Sequence, residues 1–173
     1  MEANLEGQFL SFSTRKLEQL TASIEACLGT LDEEQVWARG SDNENAIGNL
    51  VLHICGNMWQ WIVSAVGGRP DTRDRDREFN TGGGIPIPEL IRRLRETVAE
   101  AVEVIGSATA EGLVERRVIQ QYDVSVLEAI YHVVEHCSMH TGQIIFATKL
   151  LTAGDLGFYA HLRSAEPHGR KTP

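Results

Sequence analysis

The sequence predicts an all-α protein that folds as a four-helix bundle. Four long segments place apolar residues at helical spacing, which is the main signal for amphipathic helices. Glycine, proline and cap-forming residues separate these segments, and no pair of strands joined by hairpin turn residues stands out. Helices of roughly 20 to 27 residues span about 30–40 Å at 1.5 Å per residue, a length that suits a bundle.

The first two helices are predicted from apolar spacing and from their boundaries. The first covers about residues 5–28, and a short turn or helix follows at 31–39. The cap-forming stretch 41–43 then introduces the second helix, predicted over about residues 44–66. Gly67 and the glycine after it end that helix, because glycine is a common helix terminator.

A long polar connection, residues 69–87, joins the second helix to the third. Connections of this length without regular structure are uncommon in compact domains, and they are often functional lids or simply mobile segments. Arginine and aspartate alternate through its first half, so the charge is balanced locally. We therefore expect Arg73, Arg75 and Arg77 to lie in a solvated loop with salt bridges, rather than in a lid that binds anions.

The last two helices begin at clear start signals. Pro88 suits the first turn of the third helix, whose apolar face continues to about Ser107. The segment 113–124 is ambiguous, with an extended stretch as one possibility. Ser125 then forms a capping box with the glutamate three residues later, which predicts the fourth helix over about residues 126–151.

Bulk composition limits the classes of function. The 173 residues fit one domain, predicted as the bundle over 1–155 and a C-terminal tail over 156–173. A formal charge of -8 argues against non-specific nucleic-acid binding. No apolar run approaches the length of a membrane helix, and the acidic N-terminus does not resemble a secretory signal. Three cysteines without a CxxC motif are typical of reduced thiols, so we expect a cytoplasmic protein.

Histidines in the fourth helix form the most informative pattern of the chain. His132, His136 and His140 recur every fourth residue, so neighbours in this series share one helix face. His132 and His140 are about 12 Å apart along the axis and cannot bind the same ion. The usable pairs are therefore His132/His136 and His136/His140, and spacing alone does not choose between them. His53, on the apolar side of the second helix, can meet either pair across the core.

A three-histidine site would leave one coordination position of a metal ion open, which is the catalytic pattern. A single histidine on an apolar face is more often a hydrogen-bonded core residue, but a pair together with a third histidine favours a metal. Motifs for other sites are missing: HExxH is absent, and Glu128 and Glu135 lack the histidine that a di-iron bundle needs three residues later.

Three blocks of this sequence resemble the DinB/YfiT-like superfamily, in particular an uncharacterised branch of it. They are the segment 49–57 around His53, the order Arg-Asp-Arg…Glu-Phe in the long connection, and the segment 132–143 with its His-x-x-x-His-Thr-Gly-Gln order. The resemblance covers residues 5–152. It implies a four-helix bundle and frequently a homodimer.

The resemblance also implies a mononuclear metal site. Carried over by position, its ligands are His53, His136 and His140, which leaves His132 as a neighbour of the site. The implied ion is Zn²⁺ or Ni²⁺. Some relatives are transferases or isomerases that use a low-molecular-weight thiol such as bacillithiol or mycothiol as co-substrate.

The sequence thus leads to two hypotheses of function. The first is a metal-dependent transferase or hydrolase in which the ion activates a thiol or water toward a small substrate. The second is a non-catalytic, metal-stabilised bundle that binds a ligand or partner. Asn57 and Gln143 are the candidate catalytic residues, because both are polar and share helix faces with the histidines. An ordinary packing role explains Asn57 equally well.

Overall fold

The computed structural model describes residues 4–158 and residue 160. Within these residues the fold is a helical bundle with one small hairpin. In chain order the elements are α1 (Leu5–Leu28), α2 (Glu33–Trp37), α3 (Ile47–Met58) with a π-helical turn (Trp59–Ser64), α4 (Arg75–Asn80), α5 (Ile87–Gly106), α6 (Ala110–Leu113), β1 (Arg116–Ile119), β2 (Tyr122–Ser125) and α7 (Val126–Thr152).

The four long helices surround one apolar core, so the predicted fold class is confirmed. α1 packs along α5 and α7, and α3 packs along the same two helices. Leu17, Ile24, Ile54, Leu94 and Ile144 are almost completely removed from solvent within this core. Burial of these apolar stripes, more than helix propensity, stabilises helices of this length.

The predicted capping box of the fourth helix is present. Ser125 Oγ accepts a hydrogen bond from the backbone N–H of Glu128 at 3.2 Å, and Glu128 Oε2 accepts from the N–H of Ser125 at 2.6 Å. These two bonds satisfy N–H groups that no helical carbonyl can reach, and they fix the register of α7. The helix therefore presents its histidines on a defined face.

The second predicted helix differs from the structure at both ends. It begins at Ile47 and not at residue 44, because Asn49 Oδ1 accepts from the N–H of Ala46 and the stretch 41–43 lies outside the helix. Its last turn is a π-helix, in which the N–H of Ala65 reaches Gln60 O at 3.1 Å. π-Helical turns are rare in proteins overall, and those that do occur are often found at functional sites.

The ambiguous segment 113–124 contains the two strands of an antiparallel hairpin, so its extended alternative is the correct one, although no hairpin stood out in the sequence. Ile119 is paired with Tyr122 across a two-residue turn. Both turn residues have positive φ, 51° at Gln120 and 71° at Gln121, as a type I′ turn requires. Glutamine is an unusual residue for this turn, so the sequence carried no hairpin signal.

The long connection between α3 and α5 is anchored to α3 and contains the helix α4. Asn49 is fully buried, and its Nδ2 donates to the carbonyls of Glu78 at 2.8 Å and Thr81 at 2.7 Å. Arg39 Nη2 donates to Asn49 Oδ1 and to the carbonyl of Phe79, both at 2.7 Å. These bonds hold α4 against the face of α3 that carries His53.

The predicted boundary at residue 155 falls just beyond α7, which ends at Thr152 with Ala153 in the left-handed region. Residue 159 and residues 161–173 lie outside the described part of the chain, so the C-terminal tail stays a prediction. Among the described helices, none combines the length and the apolar character needed to cross a membrane.

Candidate metal centre

Three histidines from two helices converge in the bundle. His53 projects from α3, and His136 and His140 project from successive turns of α7. His136 Nε2 lies 3.0 Å from His53 Nε2 and 3.2 Å from His140 Nε2. The candidate ligand atoms of the three residues all lie within 4.8 Å of one another. We call this group the histidine cluster.

The geometry of the histidine cluster fits a divalent ion. Nitrogen ligands at about 2.0–2.1 Å from a tetrahedral ion lie about 3.3 Å apart, close to the two Nε2–Nε2 distances of 3.0 and 3.2 Å. Three neutral imidazoles would leave one position of such an ion free for another ligand. His53 and His140 are 7% and 9% exposed, so water competes little for their nitrogens.

Outer hydrogen bonds set the tautomers of two of these histidines. His53 Nδ1 lies 2.9 Å from Glu78 Oε2, and His140 Nδ1 lies 2.7 Å from Gln143 Oε1. Both partner atoms are acceptors, so each Nδ1 carries the hydrogen and each Nε2 keeps a free lone pair. Metal-binding histidines are usually oriented in this way by a carboxylate or carbonyl oxygen.

Glu78 is itself held by a buried arginine. Arg73 donates from Nε to Glu78 Oε1 at 2.8 Å and from Nη2 to Oε2 at 2.9 Å, a bidentate pair. Arg73 Nη2 also lies 3.2 Å from His53 Nδ1, because both nitrogens donate to the same carboxylate oxygen. Burial alone would raise the pKa of Glu78, but the hydrogen bonds from His53 and Arg73 outweigh it and lower that pKa. Glu78 is thus an anion at neutral pH.

The predicted solvated loop was therefore wrong at Arg73, whose side chain is only 3% exposed. The sequence interpretation missed Arg73 and Glu78 because alternating opposite charges are typical of a solvated segment. One available signal was Gly56, which lies three residues after His53 on α3. A Cβ at that position would lie 1.8 Å from Glu78 Oε1, so the close approach of Glu78 requires glycine.

His132 lies beside the histidine cluster and outside it. Its Nε2 is 3.3 Å from Asn57 Nδ2, and its ring packs on Trp61 with centroids 4.0 Å apart. The rings of His132 and His136 have centroids 5.5 Å apart. The candidate Asn57 therefore contacts His132, while the other candidate, Gln143, is exposed and orients His140.

Replacing Glu78 by glutamine is expected to weaken metal binding about 10–100-fold, because the anionic partner of His53 is lost. The size of the side chain is kept, so the change tests charge and acceptor strength at Oε2. Competition titration with a chelator measures the dissociation constant. Glu89→Gln, which changes a half-buried glutamate of α5 that pairs with Arg92 and Arg93, is the control and should bind metal as wild type does. Equal affinity for Glu78→Gln would contradict the orienting role.

Protonation of His136 should make the stability of metal-free protein depend on pH. Burial, followed by the nearby His140 and His53, lowers the pKa of His136 to about 3. The unfolded chain takes up this proton near pH 6.5, so between about pH 6.5 and 3 the unfolded state binds more protons than the folded state. The free energy of unfolding should therefore fall as the pH is lowered through this window.

For one group the slope is at most about 1.4 kcal/mol per pH unit. Urea unfolding of apoprotein at several pH values between about 4 and 7 measures it, and His136→Ala should show a smaller slope. Parallel curves for wild type and variant would show that another group causes the dependence.

Comparison with known proteins supports the fold and gives the family. The family model described as "Protein of unknown function (DUF1572)" matches residues 4–161. No curated protein matches the sequence significantly. A conserved protein from Enterococcus faecalis, known as a crystal structure, is similar with a TM-score of 0.67 and 14% identity, over 83% of this chain and 97% of that one.

A second similar crystal structure is that of a DinB-like protein from Bacillus cereus ATCC 10987. Its TM-score is 0.61 and its identity 15%, over 76% of this chain and 85% of that one. At such low identity the likeness establishes the fold alone. The bundle is DinB-like, as the resemblance implied.

Proposed function

The chain belongs to the family described as Protein of unknown function (DUF1572), and we propose that it is a metal-dependent enzyme with a mononuclear three-histidine centre. The observation that supports this most strongly is the convergence of three Nε2 atoms, two of them with their outer nitrogens held by Glu78 and Gln143. The proposed ligands are His53, His136 and His140, and the proposed ion is Zn²⁺ or Ni²⁺, as the resemblance to DinB/YfiT-like proteins implies.

The proposed reaction is attack of a thiolate on a small electrophilic substrate, in which a carbon–sulfur bond forms and the bond to a leaving group such as halide breaks, or hydrolysis of such a substrate. A divalent ion with an open position lowers the pKa of a thiol or water near it, which supplies a nucleophile at neutral pH. The chain contributes the neutral imidazoles and the anchored Glu78–Arg73 pair that keeps His53 oriented. Gln143 has the same positioning role toward His140.

A thiol co-substrate would have to come from outside the chain. Cys27, Cys55 and Cys137 are free thiols, consistent with the reducing cytoplasm that we propose as the location. Burial raises the pKa of Cys137 to about 11 and that of Cys55 to about 12, and it also raises the pKa of Cys27. These side chains are therefore poor nucleophiles, since the reactive form is the thiolate. A low-molecular-weight thiol is the better candidate.

Turnover with and without metal tests this function. Chelator-treated protein and protein reloaded with Zn²⁺ or Ni²⁺ are compared on two substrates: an aryl halide with a low-molecular-weight thiol, and an activated ester. We expect activity on one of them that is lost on chelation and restored by metal. Equal turnover by metal-free protein would exclude the metal-dependent mechanism.

A non-catalytic, metal-stabilised bundle is the second candidate. The histidine cluster joins α3 to α7, and Glu78 adds α4, so an ion bound there would link three elements. Binding to the folded state alone raises stability by mass action. A large rise in melting temperature on adding metal, without turnover of either substrate class, would favour this candidate.

We propose that the chain forms a homodimer through an exposed apolar face of α7. Tyr131, Phe146 and Leu150 on this face are 63%, 66% and 70% exposed, an unusual exposure for large apolar side chains on one helix. Phe146→Glu should therefore produce monomers in sedimentation equilibrium, whereas Leu5→Glu, at an exposed apolar residue of α1, should leave the dimer intact. A monomeric wild type would contradict the proposal.

A further inference from the structure

Two polar atoms close to the histidine cluster are buried without a hydrogen-bond partner. They are Asn57 Oδ1 and Trp61 Nε1, and neither has a partner within the described residues of the chain. Both side chains are only 4% exposed. Buried polar groups are nearly always satisfied, so an unpaired acceptor and an unpaired donor one helical turn apart need an explanation.

His132 contacts both side chains, and its hydrogen bond with Asn57 fixes the direction of the Asn57 amide. Asn57 Nδ2 is 3.3 Å from His132 Nε2, which accepts from it, so the amide presents Oδ1 elsewhere as a free acceptor. The indole ring of Trp61 packs on the same histidine with centroids 4.0 Å apart. His132 is thus in contact with both side chains.

These residues adjoin the proposed metal ligands on both helices. Asn57 lies one turn after His53 on α3, and His132 lies one turn before His136 on α7. The His132 ring is 5.5 Å from the His136 ring between centroids. Asn57 and His132 therefore repeat, one turn along the α3–α7 interface, the cross-helix pairing of His53 with His136.

The helix carrying these atoms has a local irregularity at the same place. The π-helical turn Trp59–Ser64 begins two residues after Asn57 and contains Trp61. A π-turn inserts one residue relative to an α-helix, which reorients the side chains of that turn. Leucine and phenylalanine would fill a purely structural interface at positions 57 and 61 without burying polar atoms.

We propose that Asn57, Trp61 and His132 form a substrate-binding subsite beside the metal centre, which takes a small ligand bearing a hydroxyl or N–H donor next to an acceptor oxygen. Asn57 Oδ1 accepts from the donor of this ligand, Trp61 Nε1–H donates to its oxygen, and His132 positions both. This proposal rests on the proposed metal-dependent function. In that function, the residues of the subsite determine which substrate is bound.

The test uses full-length protein loaded with Co²⁺, whose visible absorption reports ligands that bind at the metal. The probe is acetohydroxamate, which carries N–H and O–H donors beside a carbonyl oxygen. Asn57→Leu and Trp61→Phe should each raise its dissociation constant about tenfold, the effect of one lost hydrogen bond. Trp61→Phe keeps an aromatic ring against His132, so the fold is retained.

Two controls separate the subsite from the metal. Trp59→Phe is the matched variant, because Trp59 Nε1 already donates to the carbonyl of Pro70 at 3.1 Å, and it should bind acetohydroxamate as wild type does. Thiocyanate is the matched ligand, because it binds metals without offering a donor, and Asn57→Leu should not change its dissociation constant.

The outcomes distinguish this inference from the proposed function. A wild type that binds no Co²⁺ would overturn both. Stoichiometric Co²⁺ in all proteins with unchanged acetohydroxamate affinity in both subsite variants would overturn the subsite alone. Variants that melt at a lower temperature but bind acetohydroxamate with unchanged affinity would also overturn the subsite. Asn57 and Trp61 would then have a packing role or bind a structural water.

Discussion

Alanine in place of His136 is expected to abolish stoichiometric metal binding. His136 is the middle member of the histidine cluster, and its Nε2 lies 3.0 and 3.2 Å from the other two Nε2 atoms. Its removal leaves two imidazoles and should weaken binding more than about 100-fold, because the free energy of metal binding is shared among few ligands. Metal content after dialysis and competition titration with a chelator measure the loss.

His132→Ala is the matched control for that experiment. It removes a histidine from the same face of α7, one turn away, whose Nε2 faces Asn57 and not the cluster. This variant should keep its metal, although the loss of ring packing against Trp61 should lower its melting temperature. Metal retained by His136→Ala and lost by His132→Ala would show that the ligand set is wrong.

Gly56→Ala is expected to damage the metal centre without touching a ligand. Its Cβ would lie 1.8 Å from Glu78 Oε1 and 2.7 Å from Glu78 Cδ, so the carboxylate must move. His53 then loses its acceptor at Nδ1. We expect about 10–100-fold weaker metal binding, as for other losses of outer partners, and a fall of roughly 1–3 kcal/mol in the free energy of unfolding.

Chelator competition and urea unfolding measure these two effects. Gly142→Ala is the matched control, because Gly142 is also helical and a Cβ there would meet no atom within 4 Å apart from its chain neighbours and the backbone of its own helix. Alanine at this position should leave metal affinity unchanged and stabilise the helix by roughly 0.5–1 kcal/mol. Wild-type affinity in Gly56→Ala would mean that Glu78 does not orient His53.

The main helices could be predicted from sequence because their signals are local. α1 has its predicted bounds, and the capping box at Ser125 and Glu128 located the start of α7. The start of α3 was missed because the stretch 41–43 has cap-forming residues that lie in a turn before the helix. The hairpin was missed because Gln120 and Gln121 adopt positive φ without glycine or asparagine.

The histidines of the candidate site could also be predicted from a local pattern, whereas the residues that orient them could not. Spacing placed His136 on one face with either neighbour, and the choice of His140 came from a family resemblance, not from helical geometry. Glu78 reaches His53 from 25 positions further along the chain. That contact depends on Asn49 anchoring α4 and on the space left by Gly56. The glycine within α3 is the one sequence signal of this contact, and it does not indicate which residue fills the space.

Metal analysis of tag-free wild-type protein, purified without added metal, is the most direct test of a three-histidine centre. Inductively coupled plasma mass spectrometry gives the content, and X-ray absorption gives the ligands. We expect close to one Zn or Ni per chain, with three nitrogen ligands at about 2.0–2.1 Å for zinc. No bound metal, even after reconstitution, would identify His53, His136 and His140 as hydrogen-bonded core residues and would contradict the proposed function.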